Sequence, residues 1–244
     1  MTELLYQKDM ELFEFDAKVV FAEGNKIELD RTAFYPKSGG VAEDRGTIER
    51  NGEVFQVLSV RKEGPRIIHE LDRPGLVVGE EIVGKVDSAR RRILSRYHTT
   101  AHLLIGIMNK ELSVLVTGNN LDVDGGRIDI DWETFDKGKL EEIFAKANSL
   151  IGQNLPVKVY EIARNELEKR PELVKLAMGL PPALQTVRIV EIVGVDAQPD
   201  GGCHVGSLIE IGSLEFSGYE SKGKKNKRFR FVIRNRGGSG GTSN

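Results

Sequence analysis

The side chains best suited to hold a metal gather in two short stretches. His98-Thr99-Thr100-Ala101-His102 carries two histidines four apart, and Asp200-Gly201-Gly202-Cys203-His204 carries a carboxylate, the chain's one cysteine and a third histidine. On a helix, positions four apart share a face, one turn above the other, so His98 and His102 can aim at a common point. In the second stretch a Gly-Gly turn lets backbone and side chain approach an ion closely. Two helical imidazoles, the Asp200 carboxylate and the His204 imidazole make a tetrahedral or water-bearing ligand set. The same helical pair also reads as one solvated histidine and one hydrogen-bonded in a core. The fourth histidine, His69, sits in the strand-like run Ile67-Ile68-His69-Glu70-Leu71 and is read as structural. Thr99 stands where H-E-x-x-H metalloproteases carry their general base, which argues against a zinc protease.

The first pair needs a helix. Asp87-Ser88 supply a cap, and Ile93, Leu94, Tyr97, Ala101, Leu104, Ile105 and Met108 recur at helical spacing. Before them, residues 1–86 read as short strands. Phe13 to Val19 and Lys26 to Asp30 alternate, and Val54 to Val60 follow the turn pair Asn51-Gly52. Close-set strands with Gly-rich joints predict a small barrel. A boundary is expected near residue 86. Beyond the first helix the pattern predicts a polar loop with Gly125-Gly126, a helix carrying Leu140, Ile143, Phe144, Ala147, Leu150 and Ile151, and a strand from Pro156 to Tyr160. A helix from about Arg164 follows, then strands over Thr186 to Val195, Leu208 to Glu215 and Arg228 to Ile233. Helices beside a mainly antiparallel sheet make an α+β fold. Residues 237–244, Gly- and Ser-rich, read as a flexible tail.

Composition limits the function classes. A chain of 244 residues fits one large or two modest domains. No apolar run has the length of a membrane span, and Met1-Thr2-Glu3-Leu4-Leu5 does not open a secretory signal. A single cysteine rules out an internal disulfide framework and fits a reducing compartment. With 35 basic and 37 acidic residues the net charge is −2, so any contact with nucleic acid must be local.

Two more constellations carry chemistry. From Leu29 to Gly46 a strand ends, Pro36 fixes a turn, and Gly39-Gly40 leave backbone amides uncovered, which suits either a ligand or an ordinary glycine hairpin. Thr32 offers a hydroxyl to a polar substrate, or packs as strand threonines do. Near the C-terminus Lys222, Lys224, Lys225, Lys227, Arg228, Arg230, Arg234 and Arg236 follow one another with no acid among them. With Arg90-Arg91-Arg92 and Arg96 they suggest a phosphate-tracking surface, or a solvated basic face.

His98-x-x-x-His102, the run Thr32-Phe34-Tyr35-Pro36-Gly39-Gly40, Asp200-Gly-Gly-Cys-His204 and Ser221-Lys222-Gly223-Lys224 occur together in order. In this the chain resembles the AlaX-type alanyl-tRNA editing proteins, free-standing relatives of the editing domain of alanyl-tRNA synthetase, over roughly residues 10–235. The resemblance implies a small N-terminal β-barrel (1–86) and a zinc-containing α+β editing domain (87–236). It implies a cytoplasmic trans-editing hydrolase that deacylates mischarged tRNA for alanine, most often the seryl and also the glycyl ester. Zn2+ would rest on His98, His102, Asp200 and His204. Thr32, Gly39, Gly40 and Cys203 would bind substrate, and Lys222, Lys224, Lys225, Lys227 and Arg228 the nucleic acid. No membrane or nucleotide cofactor is expected, and the oligomeric state is open. The sequence departs from the family's Cys-Gly-Gly-Thr-His run: Asp200 stands at the cysteine and Cys203 at the threonine. Aspartate is the expected ligand, with Cys203 the alternative. Ser38 replaces a first glycine, Val41 a glutamine and Lys225 a glycine, which leaves the seryl preference open.

An aminoacyl ester is already activated, so Zn2+ with neutral imidazole ligands suffices, the oxyanion being met by the metal or by amides near Gly39-Gly40 or Gly201-Gly202. Thr32 hydrogen-bonding a seryl hydroxyl would spare the alanyl ester. Two other classes are open: a non-catalytic zinc-stabilised RNA-binding module, and a metal-dependent hydrolase of small esters or amides.

Overall fold

The computed structural model describes residues 2–173, 185–223 and 225–235. They form two compact units, residues 1–95 and 96–244. The first opens with β1 (Glu3–Leu4), a single helical turn α1 (Leu5–Lys8), β2 (Glu14–Glu23), β3 (Lys26–Leu29) and β4 (Arg31–Thr32). It continues with β5 (Gly46–Arg50), β6 (Glu53–Glu63), β7 (Arg66–Leu71) and β8 (Glu81–Val86). Six of these close a barrel in the order β2-β3-β7-β6-β5-β8 with every pair antiparallel. Asn51 and Gly52 join β5 to β6 with φ of 50° and 84°, the left-handed values that a tight hairpin requires. Alternation along β2 turns Phe15, Ala17 and Val19 inward against Ile27, Leu29, Phe34, Ile48, Phe55 and Val60.

Helix α2 (Ser88–Leu112) starts where its cap predicts, with Asp87 Oδ1 accepting the Arg90 N–H at 3.0 Å. Its first turns group with the barrel, and the division between the two units falls inside the helix, at Ser95 and Arg96. Arg91 shows why. It is buried and donates from Nε to both Asp44 oxygens at 3.0 Å, and to the carbonyls of Ala33 and Met10.

In the second unit come β9 (Val116–Asp122), β10 (Gly125–Ile130), α3 (Lys137–Gly152), β11 (Val157–Ala163), the short α4 (Arg164–Leu167), β12 (Thr186–Ile192) and β13 (Asp196–Pro199). β14 (Ser213–Ser221) and β15 (Lys227–Arg234) follow. Two antiparallel sheets result, β14-β15-β10-β9 and β11-β12-β13. α3 buries Leu140, Ile143, Phe144, Ala147 and Ile151, and Phe144 meets Phe216 and Phe229 edge-on. This is the α+β architecture with a small barrel that the pattern predicts. Among the described residues no helix is long and apolar enough to cross a membrane.

Three local expectations are corrected. Gly125-Gly126 belong to β10, not to a polar loop, because the Phe231 ring lies against Gly126 where a side chain would stand. Leu208–Ile211 form a 3₁₀ turn capped by Ser207 and Glu210, and the strand begins only at Ser213, after Gly212 with φ of 89°. The helix from Arg164 ends at Leu167, with a 3₁₀ turn at Pro171–Leu173. Residues 174–184, Lys224, Arg236 and the expected tail 237–244 lie outside the described residues.

Candidate metal centre

α2 presents His98 and His102 on one face, as the spacing requires, and the segment after β13 brings Asp200 and His204 to them. One ligating atom from each of the four residues lies within 4.8 Å of the others. Asp200 Oδ1 is 3.4 Å from His98 Nε2 and 3.9 Å from His102 Nε2, and Asp200 Oδ2 is 3.0 Å from His204 Nε2. The His98 and His204 rings stack with centroids 4.1 Å apart. All three histidines are buried, while the Asp200 side chain keeps 17% of its exposure.

Neighbouring groups fix how each ligand points. His98 Nδ1 donates to the Cys203 carbonyl at 3.2 Å, which places the ring proton on Nδ1 and leaves the Nε2 lone pair facing the cluster. Thr99 Oγ1 accepts the Val205 N–H at 3.2 Å and lies 3.1 Å from His204 Nδ1, fixing that ring in turn. Arg188, on β12, donates to the carbonyls of Asp200 and Gly202 at 3.0 Å each and clamps the turn. The Gly202 N–H donates to Asp200 Oδ2, so it is not available for an oxyanion. A Cβ at Gly202 would lie 2.5 Å from the His98 ring, so only glycine fits beneath that imidazole.

Electrostatics suit a cation. Burial pushes His204 down to about 4, aided by the neighbouring charge of His98, so it is neutral near pH 7. Burial alone would push the Asp200 carboxyl up, but the charge of His98 and the hydrogen bond from His204 outweigh it and hold the group well below its ordinary value. A neutral His204 and an ionised Asp200 are among the protonation states that a divalent ion needs. Ligands placed about 2.0–2.2 Å from a tetrahedral Zn2+ stand roughly 3.3–3.6 Å from one another. The Asp200-to-imidazole separations bracket that range. The residues present could therefore hold a divalent metal ion.

Sequence reading had named these four residues; it missed Thr99 and Arg188. Their contribution is to the shape of a loop that folds back on the helix, and no spacing rule reports that. The remaining named residues fall as follows. Cys203 is buried, and its carbonyl rather than its thiol faces the cluster through His98. Thr32 is fully buried in the barrel unit, where its Oγ1 accepts the Phe34 N–H at 3.1 Å and pairs with His69 Nε2 at 2.9 Å. Gly39 and Gly40, with φ of 57° and 79°, form the tip of a hairpin turn closed by Ser38 and Val41, each donating to the other's carbonyl. His69 is a buried strand residue, as expected. The basic run is largely engaged within the chain. Lys222 pairs with Glu220 and Lys225 with Glu133. Lys227 is buried and donates to the Gly223 carbonyl, and Arg228 grips both Asp129 oxygens at 2.7 Å.

The chain is similar to known proteins along nearly its whole length. Residues 6–90 match the family described as tRNA synthetases class II (A), and residues 187–230 match the threonyl and alanyl tRNA synthetase second additional domain. The chain is 38% identical over 237 residues to the alanyl-tRNA editing protein AlaX-M of Saccharolobus solfataricus, covering 96% of this chain and 100% of that protein. It is 39% identical over 241 residues to AlaX-M of Methanosarcina barkeri, covering 96% of this chain and 99% of that protein. It is also similar, at 35% identity over 217 residues, to alanine–tRNA ligase of Ignicoccus hospitalis, where the match takes 88% of this chain and 24% of the ligase.

Proposed function

The chain belongs to the alanyl-tRNA editing proteins, a family of deacylating hydrolases, and from that premise we propose that it removes a wrongly attached amino acid from tRNA for alanine at a zinc site made by His98, His102, Asp200 and His204. The observation that carries this reading is the cluster itself. Three imidazoles and a carboxylate from a helix and a distant loop turn their ligating atoms to one point. When bound, Zn2+ supplies Lewis acidity at the ester. The chain's own groups set the rest. The Cys203 carbonyl and Thr99 Oγ1 position the His98 and His204 rings, and Arg188 holds the turn that carries Asp200. Thr32, with Gly39 and Gly40, supplies the amino-acid recognition in this reading, favouring the seryl and then the glycyl ester over alanyl. Cys203 is the remaining substrate-binding residue of this reading. Lys222, Lys224, Lys225, Lys227 and Arg228 form the local basic surface toward the tRNA, and the setting is cytoplasmic.

The test is hydrolysis of seryl-, glycyl- and alanyl-tRNA with zinc content measured on the same samples. Wild type should carry about one equivalent of zinc and hydrolyse the seryl ester. His98→Ala and Asp200→Ala should lose both, activity falling by more than about a hundredfold, and Cys203→Ala should keep its zinc. Loss of zinc from Cys203→Ala alone would transfer the fourth ligand to the thiol. A second reading rests on one observation: four protein donors already complete a tetrahedron, as in structural zinc sites. A zinc-loaded wild type that binds tRNA and leaves every ester intact would establish that reading instead. Activity on minimal esters that ignores added tRNA and salt would mark a small-ester hydrolase.

A further inference from the structure

On the face of the β14-β15-β10-β9 sheet away from Phe229 and Phe231, two arginines stand directly opposite each other: Arg127 on β10 pairs in register with Arg230 on β15. Like charges directly across a ladder destabilise a sheet. One register pair further along, at the same face, the charge is settled: Arg228 opposite Asp129 makes a two-pronged ion pair. Nothing comparable serves Arg127. Among the described residues its guanidinium has no hydrogen-bond or ion-pair partner, and its Nε is buried from solvent. Arg230 reaches only the exposed Glu220, at 3.3 Å.

The two arginines line a depression of about 400 Å³. Gly125 and Gly126 leave its floor low, and Asn120 and Ser217 add neutral polar groups at its sides. Asp124 stands on its rim and pairs with neither arginine. Two arginines facing each other across the ladder in one open depression, which Phe231 and Val232 also line, and no paired carboxylate for one of them, suit an anion with several acceptor oxygens. We propose that the Arg127–Arg230 cup is a phosphate site that takes one phosphodiester of a bound tRNA. This rests on the deacylase reading for the identity of the nucleic acid. Arg230 belongs to the basic run and Arg127 comes from another strand; the run's other described members are mostly paired with neighbours in the chain.

The geometry favours a polynucleotide phosphate over a free one. The cup is open, so a small anion would gain no enclosure, whereas a strand anchored elsewhere presents its phosphate at high local concentration. The experiment measures binding of uncharged tRNA for alanine by fluorescence anisotropy across a salt series, for wild type, Arg127→Gln, Arg230→Gln and Arg127→Lys. Each glutamine variant should bind roughly five- to tenfold more weakly near 0.1 M salt and lower the slope of log K against log salt by about 1. Arg127→Lys should keep the wild-type slope, because it keeps the charge. Arg127→Gln should melt no lower than wild type, since it removes a like-charge opposition. Unchanged affinity and slope in both glutamine variants would overturn the proposal. So would inorganic phosphate bound at millimolar concentration by wild type and lost in Arg127→Gln while tRNA affinity is unaffected, because the site would then serve a free anion. Seryl-ester hydrolysis run in parallel tests the deacylase reading separately. A wild type with the two-arginine signature and no hydrolysis keeps this site and loses the enzyme.

Discussion

Thr99 occupies the place where a zinc protease carries its catalytic glutamate, and it has taken another task. Its hydroxyl lies between the His204 ring and the Val205 amide, so a residue of the helix orients a ligand from the loop. Hydrogen-bond partners of ligating histidines are worth about 10–100-fold in metal affinity or activity. Thr99→Val keeps the shape and removes the bond. It should weaken zinc binding by about that factor in a chelator competition, with the fold intact by circular dichroism. Equal affinity in wild type and Thr99→Val would reduce Thr99 to a packing residue. At this scale the sequence is informative about which side chains cluster and silent about what supports them. Histidines four apart on a strongly periodic helix declare a shared face, and Asp200 and His204 declare themselves by type. Thr99 and Arg188 carry ordinary side chains whose role exists only once the loop has closed. The basic run hides its pairing in the sequence: alternate strand positions turn Lys227 inward and set Arg228 beside Asp129.

Elements were legible where periodicity and caps agreed. α2 begins at its Asp87 cap, α3 buries five of the six positions its spacing marks as apolar, Leu150 being only half-buried, and the barrel follows from strands that alternate. The misreadings share one cause. Glycine was taken as a breaker at Gly125-Gly126, and apolar content as strand at Leu208–Ile211. In both places tertiary contact decided. Gly126 is a strand residue because Phe231 from the neighbouring strand fills the space above it. The consequence is measurable. A Cβ there would stand 2.2 Å from the Phe231 ring, so Gly126→Ala must displace a buried aromatic at the sheet's centre. It should destabilise the second unit by about 1–3 kcal/mol in urea unfolding, whereas Gly24→Ala, at a turn with open space, should cost only the strain of its positive φ. A neutral Gly126→Ala would mean that β10 tolerates the loop that its sequence suggests.

The molecule carries two acid sensitivities that can be separated. One belongs to the proposed metal centre, where protons would compete with a bound ion for imidazole and carboxylate. The other belongs to the barrel and needs no metal. His69 is fully buried on β7, and burial pushes it from 6.5 down to about 4, partly offset by the Ile27 carbonyl. At pH 7 the ring is neutral whether the barrel is folded or not, and it contributes no pH dependence. Below about 6.5 the unfolded chain takes up a proton that the folded barrel refuses until about pH 4, so stability falls as pH falls through that window. The loss approaches 1.4 kcal/mol per pH unit and totals on the order of 3 kcal/mol. His69→Gln, which can still pair with Thr32, should flatten that part of the profile. Peptide-resolved hydrogen exchange locates the effect. Between pH 7 and pH 4.5, corrected for the intrinsic rate, wild-type barrel peptides should lose protection and His69→Gln peptides should lose less. Chelation at pH 7 should instead loosen peptides around α2 and residues 199–208 and leave the barrel as it was. Equal loss in wild type and His69→Gln would assign the barrel's acid sensitivity to its surface carboxylates, whose pairs with Arg50, Arg61 and Arg66 also weaken on protonation.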